Sequence, residues 1–102
     1  MTKEEFVEHN NIEEQAIFIG SDDEWELYRK GIVGVTEDKC HIVYSYERLV
    51  ETLADSYMEE NYDKDRDYAT EAMEMLDFNT LRSIPYSPKE YRPIIIYEVE
   101  EL

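Results

Sequence analysis

Tyr46, Leu49, Val50, Leu53, Ala54, Tyr57 and Met58 fall at i, i+3, i+4, i+7, i+8, i+11 and i+12. An α-helix, at 3.6 residues per turn, gathers such a set onto one face. Ser45 stands where an N-cap belongs, and Asn61 is tolerated past the last turn, so the spacing predicts a helix over about 46–60. A stripe this wide has to be buried, and the rest of the chain must supply the apolar surface that covers it.

Strand-like runs supply that surface. Gln15-Ala16-Ile17-Phe18-Ile19-Gly20 is short, apolar and β-branched, and reads as a buried strand ended by glycine. Gly31–Thr36 and Cys40–Tyr44 are two more, and Glu37-Asp38-Lys39 between them suits a hairpin whose loop lacks glycine. Ile94–Val99 is apolar on both sides, which predicts a central or well-covered strand with Pro93 tolerated at its start. Between these runs, Asp67 caps a second helix with Ala69, Ala72, Met73 and Leu76 on one face. Phe78-Asn79 breaks that helix, and a further turn holding Leu81 and Ile84 stops at Pro85. Thr2-x-x-Glu5 is a capping box for one N-terminal turn docked through Phe6 and Val7, within a stretch, 1–14, that also reads as loose. The expectation is one α+β domain over 1–102: a small, mainly antiparallel sheet of about four strands with two helices on one face.

Charge narrows the function. The chain holds 26 Asp and Glu against 10 Lys and Arg, for a formal net charge of -16. That field repels nucleic acid and anionic membrane, and it draws in basic protein surfaces and cations. Solubility alone asks for a net charge of magnitude about 2–8 in a small domain. Cys40 is the one cysteine, so no internal disulfide forms and a reducing cytoplasm fits. Thr2–Glu14 is acidic where a signal peptide would be basic and then apolar, and no apolar run nears the roughly 20 residues that span a bilayer. A cytoplasmic protein is expected.

The acid is patterned. Glu47, Glu51, Asp55 and Glu59 repeat every four residues along the first long helix, a ridge with one carboxylate per about 6 Å of axis. Asp63, Asp65 and Asp67 extend it, and Asp67, Glu71 and Glu74 form a second short stripe. Only Arg48 interrupts the carboxylates between Glu47 and Asn61. Such a ridge is a solvated helix face, or it imitates a phosphate backbone to a protein that grips nucleic acid with Lys and Arg. Asp63, Asp65, Asp67 and Glu74 also match part of a calcium-loop spacing, but Tyr68 stands where that loop needs glycine, so no metal site is assigned. Cys40 and His41 are neighbours whose side chains diverge in a strand, Cys40 reading as core and His41 as solvent-facing. No phosphate-binding glycine loop, zinc spacing or nucleophile–base pair marks a catalytic site, and no cofactor is expected. Trp25 and Tyr28 read as closing the core over the sheet rather than as exposed anchors.

Several phrases together carry a resemblance: Gly31-Ile32-Val33-Gly34, Ile42-Val43-Tyr44-Ser45-Tyr46-Glu47-Arg48-Leu49-Val50-Glu51, Leu76-Asp77-Phe78-Asn79-Thr80-Leu81-Arg82-Ser83-Ile84-Pro85-Tyr86, and Pro93-Ile94-Ile95-Ile96-Tyr97. The stretch from about 31 to 97 resembles a family of small uncharacterised proteins of bacteria and their phages, from whose commoner choices Ser45 and Ser83 depart. The resemblance implies a mobile-element setting and no particular activity. Combined with the charge pattern, it leads to the expectation of a non-catalytic inhibitor of a host nucleic-acid-binding protein or defence nuclease. Its contacts would come from Glu47, Glu51, Asp55, Glu59, Asp63, Asp65, Asp67, Glu71 and Glu74. The alternatives are an accessory protein, alone or self-associating, whose acidity serves solubility, and a cation-binding regulator.

Overall fold

The computed structural model describes residues 1–100. Four α-helices, α1 (Lys3–His9), α2 (Trp25–Tyr28), α3 (Tyr46–Glu60) and α4 (Tyr68–Met75), accompany a sheet of β1 (Ile32–Val35), β2 (Ile42–Ser45) and β3 (Ile94–Ile96). The class is α+β. The sheet has three strands rather than four, in the order β1-β2-β3, and it is mixed: β1 runs antiparallel to β2, and β3 runs parallel to it.

The long helix forms where its periodicity places it. The Ser45 hydroxyl accepts from Arg48 N–H at 3.3 Å, and that residue is wholly buried where β2 turns into α3. Leu49 and Leu53 are buried, with Tyr46, Val50, Ala54 and Tyr57 packed around the same core. Across the sheet, Ile42 and Tyr44 alternate inward, and their partners Val35, Ile32 and Ile95 share that face. Gly31 lies against the helix so closely that a Cβ there would sit 2.5 Å from Leu49 Cδ2. Glycine lets the two backbones meet around a single leucine.

The β1–β2 hairpin closes without glycine. Lys39 takes a left-handed conformation (φ 66), its N–H donates to Thr36 C=O at 2.9 Å, and the Asp38 carboxylate accepts from the Thr36 hydroxyl and from Cys40 N–H. A non-glycine residue in that region is strained. Lys39→Gly is therefore expected to raise stability by about 0.5 kcal/mol, the relief of strain less the added freedom of the unfolded chain. Urea unfolding with an unchanged slope checks this.

The fourth expected strand is absent for a reason found elsewhere in the chain. Ile17 N–H donates to Tyr91 C=O at 2.9 Å, so residues 15–20 do lie beside the approach to β3. A parallel ladder would next require the N–H of residue 93, which is proline. An antiparallel pair would require Tyr91 N–H, which already donates to Pro88 C=O at 3.1 Å. The segment therefore stays irregular. It is held by the buried Tyr44 hydroxyl, which accepts from Ile19 N–H at 3.0 Å, and it turns at Gly20 (φ 84), where a Cβ would strike the Tyr28 ring at 2.5 Å.

Further corrections follow from the packing. β3 is an edge strand, not a central one, and Tyr97 and Val99 beyond it are exposed. On α4 the buried residues are Tyr68 and Ala72, with the buried Leu76 directly after it, while Ala69 and Met73 face outward. Tyr68 turns inward because its hydroxyl finds Asn61 C=O at 2.8 Å. Phe78-Asn79 does not stop the helical path: a π-turn (Leu76–Thr80) and a 3-10 stretch (Leu81–Tyr86) carry it on to Tyr86, with Pro85 inside. Cys40 and His41 are both half-buried, and His41 Nδ1 lies 2.8 Å from Arg92 C=O.

At the N-terminus the capping box forms, with Thr2 and Glu5 each bonding the other's backbone N–H at 3.1 Å. Phe6 meets the Trp25 ring at 5.4 Å between centroids, and Trp25 Nε1 donates to Met1 C=O. Tyr28 is buried in the core, and Trp25 is half-buried against Phe6 and Phe18 at its margin. No helix among the described residues is long and apolar enough to cross a membrane.

Candidate interaction surface

Helix α3 holds Glu47, Glu51, Asp55 and Glu59 on the side away from Leu49 and Leu53, and all four are exposed. Their spacing follows from helical rise alone, at one carboxylate per about 6 Å. A strand of B-DNA carries one phosphate per about 3.4 Å, so the ridge has roughly half that linear charge density.

The two ends of the ridge differ. At its start a shallow groove is lined by Glu47, Glu51, Asp55 and Glu98 together with Lys30 and Arg48. Glu47 accepts from Glu98 N–H at 2.6 Å, and Arg48 pairs with Glu98 at 3.0 Å. Four carboxylates face two cations there, leaving the groove negative but partly compensated. The residues toward Glu59 make no ion pair among those of the described residues.

Asp63, Asp65 and Asp67 lie in the connection to α4 and are exposed. Asp63 accepts from Asp65 N–H at 3.0 Å, which shapes the turn. Asp67 caps α4, taking Thr70 N–H at 3.1 Å and the Thr70 hydroxyl at 2.7 Å. Because α4 starts at Tyr68, Glu74 sits inside a helix and the twelve-residue calcium loop does not form. Glu71 is half-buried and held bidentately by Arg66, with Nη2 at 2.8 Å from Oε1, so its charge is locally compensated. Glu74 is exposed on the neighbouring surface. Of the nine residues the sequence pointed to, all but the half-buried Glu71 face solvent, whereas Glu47, Asp63, Asp67 and Glu71 also hold structural partners, and Lys30 and Arg48 partly offset the start of the α3 row.

The hydrogen bonds from Thr70 hold the Asp67 carboxyl below its ordinary 3.8. A depressed carboxyl stabilises the fold above its unfolded pKa, and that contribution is lost as pH falls through the lower folded value. The melting-temperature gap between wild type and Asp67→Ala is thus expected to be constant from neutral pH to about 4 and to shrink below it. A gap that persists in stronger acid would refute the cap.

Glu98, Lys30 and Tyr97 join this region without any local signal in the sequence. Tyr97 stacks on Tyr46 at 4.9 Å between centroids, and the Tyr46 hydroxyl donates to Asp77 at 3.2 Å. The contacts between 46–48 and 97–98 arise only when β3 lies parallel to β2, so that both strands end beside the start of α3.

A separate cleft of about 330 Å³ lies between residues 17–20, Tyr28 and the 75–87 stretch, with Asn79, Thr80, Ser83 and Ser87 as polar lining. Its titratable groups are Glu24 and Tyr28. Glu24 already accepts from the Ser21 N–H and hydroxyl, and burial raises the Tyr28 phenol while a hydrogen bond with Thr80 opposes it. The bonds between Glu24 and Ser21 form a capping box at the start of the 22–24 turn. Among the described residues no group of three or more His, Cys, Asp or Glu is arranged to hold a metal ion.

No protein-family model, curated protein or solved structure matches the chain.

Proposed function

We propose that this protein is a non-catalytic binding protein that occludes the basic surface of a nucleic-acid-handling protein, such as a host defence nuclease. The observation that supports this reading is the row of exposed carboxylates on one rigid helix, Glu47, Glu51, Asp55 and Glu59, with Asp63 and Asp65 continuing it. A helix holds its charges without the entropy loss that flexible acidic tails suffer on binding. The partner's Lys and Arg groups, placed to meet phosphates, meet carboxylates instead. A mobile-element origin rests on the resemblance over residues 31–97, and an inhibitory role on the charge pattern.

Association driven this way is fast and sensitive to salt, because steering acts over about 8–10 Å at ordinary ionic strength. Surface plasmon resonance against an immobilised basic nuclease is expected to show the on-rate falling steeply as salt rises to about 0.5 M, with the off-rate changing less. Affinity indifferent to salt would overturn the reading.

A further inference from the structure

The two edges of the sheet are not equivalent. β1 is guarded by a bulge at Val33, between the pairs Ile32↔Tyr44 and Gly34↔Val43, and a bulge twists an edge away from further pairing. β3 has no bulge, no lysine and no proline within it: it is Ile94-Ile95-Ile96. Among the described residues no backbone hydrogen bond outside the sheet reaches residues 94–96. Upstream, the molecule's own chain closes the edge through the single bond from Ile17 to Tyr91, and Pro93 ends that pairing. Along Ile94–Ile96 the outer edge carries no such bond, and Ile96, Tyr97 and Val99 are 38%, 67% and 68% exposed.

The chemistry around this edge favours one kind of occupant. Val43 and Ile94, partners across β2 and β3, lie on the face opposite the core and outside the core cluster. An added strand would set alternate side chains beside that apolar face. At the far end of β3 it would meet the groove of Glu47, Glu51, Asp55 and Glu98. A second copy of this chain would bring another net charge of -16 to the same place, and like charge juxtaposed at an interface opposes binding.

We propose that the free edge of β3 takes up an extended, basic and partly apolar segment of the partner protein as a fourth strand, which then runs into the acidic groove at the start of α3. This rests on the reading of α3 as a surface for a basic partner and adds how that partner is held. Main-chain pairing supplies affinity, and the apolar face and the acidic groove supply selectivity. The pairing edge is Ile94–Ile96, about 10 Å of strand, and the partner's segment continues past it toward Glu98.

The test uses the full chain and two short peptides of alternating valine and lysine, one of them N-methylated on alternate residues so that charge is kept and strand pairing is lost. The unmethylated peptide is expected to slow amide exchange at residues 94–97, and the methylated one to bind about tenfold or more weakly. Ile96→Lys, at a position already part-exposed, is expected to weaken the unmethylated peptide while leaving the melting temperature near wild type. Equal binding of the two peptides, or no binding of either, would overturn strand addition. So would protection of the β3 amides in peptide-free protein with a doubled mass, which would assign the edge to a second copy. The α3 reading fails by a separate sign, a basic partner protein that binds equally after charge reversal on α3, so the two failures are distinguishable.

Discussion

Replacing Leu49 with alanine is expected to lower stability by about 2–5 kcal/mol, the range for a leucine deleted from a packed core. Leu49 is wholly buried where α3 crosses the sheet, between Tyr44, Leu53 and the backbone at Gly31. The domain has 102 residues, and total stability for a domain of this size is of order 5–15 kcal/mol, so this single change removes a large part of it. The melting temperature should fall by roughly 10–20 °C. Gly31 sharpens the prediction. A Cβ at residue 31 overlaps Leu49 in the wild type, so Gly31→Ala alone is destabilising, yet the same methyl enters the space that Leu49→Ala vacates. The double variant should therefore lose less than the sum of the two singles. Additive losses in urea unfolding would show that Gly31 and Leu49 do not share one space.

The second large effect belongs to one hydroxyl. Tyr44 is 1% exposed, and its oxygen accepts the buried Ile19 N–H at 3.0 Å. Tyr44→Phe leaves that N–H without a partner, at a cost of about 1–3 kcal/mol. The loss should be felt in residues 15–20 first, because their tie to the sheet otherwise rests on the Ile17–Tyr91 bond. Amide exchange at Ile19 is expected to accelerate more than exchange in α3. The same phenol also sets an alkaline signature. Burial pushes its pKa from 10.0 up to about 12, against the hydrogen bond from Ile19, which lowers it. A raised folded pKa contributes stability that is complete below the unfolded value of 10.0 and is lost as pH climbs through about 12. The wild type should lose about 1.4 kcal/mol per pH unit across that window on account of this group. Tyr44→Phe should show a shallower alkaline decline. Parallel declines would mean that the hydroxyl is not buried in this way.

Local pattern and long-range pairing explain which parts of the fold could be read from the sequence. Helix α3 was legible over its length, with only Met58 of its apolar stripe left exposed, since periodicity, Ser45 and the exposed acids are all local facts about one segment. The hairpin and the Thr2–Glu5 capping box were legible for the same reason. Residues 15–20 have strand composition but lack a partner, because the ladder they need is blocked at Pro93, far along the chain. Ile94–Val99 reads as a central or well-covered strand because three isoleucines suggest burial on both faces, whereas strand order leaves Ile94–Ile96 at an edge. Of the face expected on the second helix, Ala72 and Leu76 are buried, while Ala69 and Met73 turn outward as Tyr68 turns in to meet Asn61.

The same division applies to the interaction surface. The row Glu47, Glu51, Asp55 and Glu59 follows from a count of four and needs no tertiary information. Its partial neutralisation by Arg48 and Lys30, its junction with Glu98, and the pairing of Glu71 with Arg66 depend on tertiary packing or on side-chain geometry that spacing does not reveal.

Total charge and placed charge make different predictions, and one comparison separates them. Glu51→Lys/Asp55→Lys and Glu4→Lys/Glu8→Lys change the net charge by the same amount at exposed helical positions on α3 and α1 respectively. Affinity for a basic nuclease, measured for both at one moderate ionic strength, should fall about tenfold or more further for the α3 pair than for the α1 pair. Equal losses in the two variants would show that the partner responds to overall acidity alone, and α3 would then be no more than a solvated helix face.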